Sequence, residues 1–285
     1  MRYPGGKSYI ADKILVYCEK YLQEETEWVD VFTGGLTMTI KSVKRFPQIK
    51  NFWINDKDPG VACIWISYIK YPNELKAAID SATPSVELFY ALKDELASLK
   101  AIPQDKESIV QTAKNKIIIH QCSYSGLGLK GGAQGGRTQT QKDKIDTNWN
   151  PKYQHKKINE FQKLFANCNF YNNSCTDLDF TQVIQDDHTS NALLYLDPPY
   201  YEKGKQLYYY YFTDEQHQTL AKNLQETKKK WVLSYDDCEF IRNLYSWAKI
   251  ETIRNPNRLQ MFEEKKTGKR SANVKNELVI MPSAL

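Results

Sequence analysis

Two hydrophobic periods alternate along the chain. Compact apolar blocks read as seven strands: "WVDVF" (28–32), "NFWIN" (51–55), "CNFYN" (168–172), "ALLYL" (192–196), "WVLSY" (231–235), "KIETI" (249–253) and "NELVIM" (276–281). Their branched and aromatic residues suit a pleated, buried surface. Between them, apolar residues recur at helical spacing over about 37–45, in "PGVACIWISYI", and near 177–185, 214–227 and 237–246. From Tyr71 to about Ser123 the helical period continues through "PSVELFYALKDELASL" and "KESIVQTAKNKIIIHQCSY". Then "SGLGLKGGAQGGRTQTQKDK", with six glycines within 126–136, must be loop, and "HKKINEFQKLF" resumes a helix.

Strands separated by helices predict an α/β fold: a doubly wound seven-stranded sheet with a basic, helical insertion at about 71–159. Ligands of such sheets bind at the carboxyl ends of the strands, near the point where strand order reverses. Three candidate motifs fall at such ends: Asp30–Gly35, Asp56 and Asp197–Tyr200.

Composition adds limits. The 285 residues are 41% hydrophobic and 26% charged, as in a globular protein. No apolar run approaches the roughly 20 residues that span a bilayer, and the N-terminus lacks a signal-peptide core, so a cytoplasmic (or nucleoid-associated) protein without membrane contact is expected. Six scattered cysteines without a CxxC pair read as reduced thiols, and none has metal-like spacing to histidine, so no metal is expected. The net charge of +5 is uneven: residues 114–163 hold ten Lys/Arg against three acids. A basic segment rich in glycine loop is an electrostatic footprint for a polyanion, although a solvated basic face is the commoner origin of such a run.

In "DVFTGGL", a strand, paired glycines and a helix let backbone approach a ligand closely, though a plain tight turn has the same pattern. In "INDKDP", Asp56 ends the next strand, where a carboxylate can accept from both hydroxyls of a ribose; alone it could equally cap a helix. Together they favour an adenosine-containing cofactor. Without a longer glycine-rich phosphate fingerprint, S-adenosylmethionine fits better than a dinucleotide or ATP. In "LYLDPPYY" the two prolines end the strand and hold Asp197 and the carbonyls after it in one rigid arrangement.

The ordered set "RYPGGK", "DVFTGG", "INDKD", "YSGLG", "NNSCTDL", "LYLDPPYY", "YYFTDEQHQTLAKNL", "WVLSYDD" and "KNELVIM" resembles the Dam-type DNA adenine methyltransferases over nearly the whole chain. The resemblance implies a catalytic, S-adenosylmethionine-binding domain at 1–70 and 160–285 and a target-recognition insertion at 71–159. It implies that Tyr3, Lys7, Asp30, Phe32, Gly34, Gly35, Asp56, Cys175 and Asp177 hold the cofactor: Lys7 at its methionine carboxylate side, Asp56 at the ribose and Asp177 at the adenine ring, with Cys175 nearby. Where the family usually has F-x-G-x-G, Leu36 stands at the second glycine position.

The same resemblance makes Asp197, Pro198, Pro199 and Tyr200 the catalytic set. The adenine amine is a poor nucleophile because its lone pair is delocalised. The Asp197 carboxylate and the Pro198 carbonyl can accept its two N–H groups and draw the nitrogen towards tetrahedral geometry, while Tyr200 stacks on a base flipped from the duplex. In the insertion, Tyr124, Lys130, Arg137 and Gln139 are the candidate DNA contacts. "LYYYYF" reads as a loop closing over the site, with a buried aromatic strand as the other reading. Double-stranded DNA is the expected partner, the enzyme is expected to be a monomer, and a restriction endonuclease would be a partner by genetic linkage only. An RNA adenine or cytosine-amine methyltransferase would use the same tetrapeptide. A glutamine-amide methyltransferase would carry Asn in place of Asp197, and a DNA-binding module without activity would not need Asp197–Tyr200, Asp56 and Lys7 intact.

Overall fold

The computed structural model describes residues 6–23, 26–189, 191–202, 204–255 and 275–283. Among these, seven strands form one sheet: β1 (Glu27–Asp30), β2 (Asn51–Asn55), β3 (Asn169–Thr176), β4 (Ala192–Leu196), β5 (Lys230–Asp236), β6 (Lys249–Asn255) and β7 (Lys275–Met281). Their order is β3-β2-β1-β4-β5-β7-β6. β1 to β5 are mutually parallel, and β7 runs antiparallel to both β5 and β6. Strand order reverses between β1 and β4.

Side chains alternate across the strands, and the two faces have separate cores. Trp28, Phe52, Leu193, Tyr195, Val232 and Val279 join a cluster with α1 (Ala11–Glu19), α2 (Thr37–Arg45) and α3 (Pro59–Lys70). Val29, Trp53, Leu194, Leu233 and Ile280 pack on α8 (Phe180–Gln185), α10 (Asp214–Glu226) and α11 (Glu239–Leu244). Because both faces are covered, β4 is buried at every position and reads as an unbroken apolar run.

Between β2 and β3 the chain adds α4 (Pro72–Asp80), α5 (Val86–Ser98), α6 (Lys106–Cys122) and α7 (Pro151–Leu164). Helix α6 serves two cores. Ile109, Val110, Ala113 and Ile117 enter the sheet-side cluster, whereas Ile118, Ile119 and Cys122 pack with Phe89, Leu92 and Leu96 of α5 and with Leu129 and Ala133 of the glycine-rich loop. That loop is therefore seated on helices and does not hang free. Among the described residues, no helix is long and apolar enough to cross a membrane. All six cysteines are free thiols.

Candidate active site

A cavity of about 280 Å³ opens at the carboxyl ends of β1, β2 and β4, beside the reversal of strand order. Its floor is built by backbone. After β1, Leu36 N–H donates to the Thr33 carbonyl (2.8 Å) and Thr33 N–H to the Asn55 carbonyl (2.9 Å), which ties the glycine turn to β2. Gly34 (φ 45°) and Leu36 (φ 58°) both take left-handed conformations. Gly34 N–H donates to Asp56 Oδ2 (2.7 Å), and Asp58 N–H donates to Asp56 Oδ1 (2.9 Å). Asp30 Oδ2 accepts from Thr39 (2.6 Å), while its Oδ1 is buried and accepts no hydrogen bond among the described residues. Burial raises both the Asp30 and the Asp56 carboxyl to about 7.

On the other side of the reversal, β4 delivers Asp197. Its Oδ1 accepts from Lys7 Nζ (2.5 Å) and from Ser234 Oγ (3.2 Å). Among the described residues no donor reaches Oδ2 or the Pro198 carbonyl, so two acceptors remain open in a rigid frame. Burial pushes the Asp197 carboxyl up to about 6, against the opposing effect of the Lys7 ammonium. Lys7 is 4% exposed, and its ammonium also lies 3.4 Å from Glu277 and 4.6 Å from the centre of the Tyr200 ring. The Tyr200 hydroxyl donates to Glu277. The next two residues are gripped by β5: Tyr201 and Glu202 N–H groups donate to the two oxygens of Asp236, each at 3.0 Å.

Of the residues expected at the cofactor, Lys7, Asp30, Phe32, Gly34, Gly35 and Asp56 line this cavity, as do Asp197 and Pro199. Pro198 and Tyr200 lie directly beside it. Tyr3 lies outside the described residues. Asp177 and Cys175 are not in the lining. The Asp177 carboxylate accepts from Ile102 N–H (3.0 Å), which holds the α5–α6 connection, and Cys175 is buried with its thiol directed to the Thr176 carbonyl. β3 runs on to Thr176, further than the sequence pattern suggests, so the lining passes to Leu178, Asp179 and Phe180. Phe180 tilts against Phe32 at 6.0 Å.

"LYYYYF" is a loop. Its Leu207 ends the short helix α9 (Gly204–Leu207), and Tyr208 to Phe212 line the cavity. Tyr209 and Tyr210 hydroxyls reach the Ala97 (3.4 Å) and Leu99 (3.5 Å) carbonyls at the end of α5, so this aromatic strap bridges to the helical insertion. Lys130 lies over the Tyr211 ring (5.4 Å), Arg137 stacks on Tyr90 (3.7 Å), and Tyr124 is 58% exposed. Gln139 is different: its amide donates to the Gln134 carbonyl (2.7 Å) and to that of Gly136, and accepts from Ile145 N–H (2.7 Å). It organises the loop rather than facing outward.

Sequence reasoning missed Asn55, whose amide joins the ends of β1, β2 and β3 through the Val31 and Leu178 carbonyls (both 3.1 Å). It also missed Ser234, Asp236 and Glu277. For Asn55 and Asp236 the available signal was a polar residue ending an otherwise apolar strand, and for Ser234 and Glu277 a polar residue inside one. Among the described residues, no group of three or more His, Cys, Asp or Glu could hold a metal ion.

A doubly wound sheet with its seventh strand antiparallel, and an Asp-Pro-Pro-Tyr carboxylate at the strand-end cavity, define an α/β methyltransferase. The chain belongs to the D12 class N6 adenine-specific DNA methyltransferase family, whose model matches residues 3–259, and it methylates adenine in DNA. No curated protein sequence matches it.

Proposed function

We propose that S-adenosylmethionine is the donor and that the target adenine enters the cavity flipped out of duplex DNA. The observation that carries this reading is the pair of open acceptors, Asp197 Oδ2 and the Pro198 carbonyl, at a cavity shared with a second, carboxylate-lined half. The residues of that half suit a cationic adenosine. Asp30 Oδ1 is an orphaned buried acceptor, Asp56 can accept from ribose hydroxyls, and Phe32 with Phe180 offers an aromatic surface. When bound, the cofactor supplies an electrophilic methyl on a sulfonium.

Asp197 Oδ2 and the Pro198 carbonyl each accept one N–H of the target amine, turning its lone pair out of the ring plane. Tyr200, fixed by its hydrogen bond to Glu277, presents a ring on which the base stacks, and the Tyr208–Phe212 strap excludes water. The 71–159 insertion forms the DNA-facing side, where Lys130 and Arg137 meet phosphates or base edges and the exposed Tyr124 adds a further contact. Asp177 and Cys175 support the fold around the cofactor half. The enzyme works as a monomer in the cytoplasm, and any restriction endonuclease is linked to it only genetically.

The test is transfer of a labelled methyl group from S-adenosylmethionine to duplex DNA in the presence of a chelator, followed by nucleoside analysis. Label in N6-methyldeoxyadenosine is expected. Label in methyldeoxycytidine, transfer to RNA in preference to duplex DNA, or loss of activity with the chelator contradicts the reading.

A further inference from the structure

Among the described strands, β7 alone runs antiparallel to the others, so it begins, rather than ends, at the edge where β1, β4 and β5 end. Glu277 near its start is thereby paired in register with Asp236 at the end of β5. Two carboxylates directly opposite each other across a strand pair repel, so the arrangement needs compensating partners. Both carboxylates turn to the segment after the two prolines. Asp236 takes the Tyr201 and Glu202 N–H groups, and Glu277 takes the Tyr200 hydroxyl and lies 3.4 Å from the Lys7 ammonium. Glu277 is 2% exposed, so its charge is not there for solubility.

We propose that Glu277 is a positioning residue for methyl transfer. It fixes the Tyr200 ring directly and, by sharing Lys7, sets the orientation and charge of Asp197. This rests on the reading of Asp197 as the acceptor of the target amine. Lys7 sits between two carboxylates, closer to Asp197 (2.5 Å) than to Glu277 (3.4 Å). It holds Asp197 Oδ1 and so leaves Oδ2 for substrate.

Asp197 is faced by Lys7 from the N-terminal segment, Asp30 from β1, Tyr195 from β4, Ser234 and Tyr235 from β5, Glu277 from β7, and Tyr208 from the strap. Of these, the Lys7 ammonium favours the carboxylate and the Glu277 charge opposes it. An ionised Asp197 is the better acceptor, so activity is lost as pH falls through its pKa. Removing the Glu277 charge must move that acid limb to lower pH. Removing the Lys7 charge must move it to higher pH. A residue with only a structural role would change rates without opposite shifts.

The experiment is single-turnover methyl transfer to duplex DNA at saturating enzyme and S-adenosylmethionine, from about pH 5 to about pH 9. Glu277→Gln is expected to lower the midpoint of the acid limb by about one pH unit, and Lys7→Met to raise it by a similar amount. Glu277→Asp keeps the charge but withdraws the carboxylate, so its midpoint should stay near that of the wild type while its rate falls several-fold. If Glu277→Gln does not fold, Glu277→Asp carries the test, and a wild-type rate in that variant overturns the proposal. A midpoint unchanged in a folded Glu277→Gln overturns it as well. If instead Asp197→Asn retains the full wild-type rate, it is the reading of Asp197 itself that fails.

Discussion

Leu36 carries a left-handed backbone (φ 58°, ψ 22°) at the N-cap of α2 while its side chain is completely buried. For an L-residue this conformation costs about 1–2 kcal/mol, because Cβ crowds the following carbonyl. Burying a leucine in a packed core offsets that cost, since deleting one to alanine loses about 2–5 kcal/mol. The turn thus keeps the geometry a glycine would give and gains an apolar anchor under it. Gly34 and Gly35, the two residues before it, both line the cavity. Two substitutions separate the opposing effects. Leu36→Ala and Leu36→Gly both lose the buried side chain, but only glycine relieves the backbone. Denaturant unfolding should therefore find Leu36→Gly more stable than Leu36→Ala by about 1 kcal/mol, the reverse of the order in a helix or strand interior. Alanine equal to or more stable than glycine would contradict the account of this turn.

At the scale of elements, the strands were legible wherever branched and aromatic residues crowd into a short block. β2 and β4 match the sequence pattern end to end, and α2 does too. β3 was only half legible. Its second half, "NSCT", is polar, and Asn172 and Asn173 have positive φ at the register shift against β2, so periodicity fails there. The family resemblance puts Asp177 at the cofactor, whereas on this side the cavity lining begins at Leu178. The direction of β7 left no trace in composition, because a buried strand reads alike in either direction. Its antiparallel run is what brings Glu277, near the end of the chain, to Asp197 and Tyr200. Lys116 is one of the ten cations of 114–163, yet it is 1% exposed and pairs with Asp58, which caps α3. A lysine on the buried face of α6 is recognisable only once its partner is placed. The pair also joins the insertion to the cofactor half, since Asp58 N–H donates to Asp56.

For the whole molecule, the excess of cations in 114–163 does not convert directly into DNA contacts. Lys116 is buried, and Lys144 is spent on the Gln139 carbonyl. Lys130 and Lys205 flank Tyr211 on the strap, which places positive charge at the rim of the cavity. Each phosphate contact contributes about −0.9 to the slope of log affinity against log salt, so several contacts should give a slope steeper than about −3. Charge reversal at Lys130 or Arg137 should flatten the slope by about one or more, whereas reversal at Lys76 or Lys100 should leave it unchanged. A flat dependence from low to moderate salt would count against the insertion as the DNA-facing side.

The central claim is that Asp197 acts on the target amine and not on the cofactor. The most direct measurement replaces it with alanine and follows both steps: S-adenosylmethionine binding by calorimetry, and labelled methyl transfer to duplex DNA. Binding should stay within a few-fold of the wild type, because the cofactor half is built from Asp30, Phe32, Gly34 and Asp56. Transfer should be abolished. Asparagine, which keeps an acceptor without the charge, should retain partial activity, since charge-assisted hydrogen bonds are roughly twice as strong as neutral ones. Near-normal turnover in Asp197→Ala, with N6-methyldeoxyadenosine still the product, would show that the chemistry lies elsewhere.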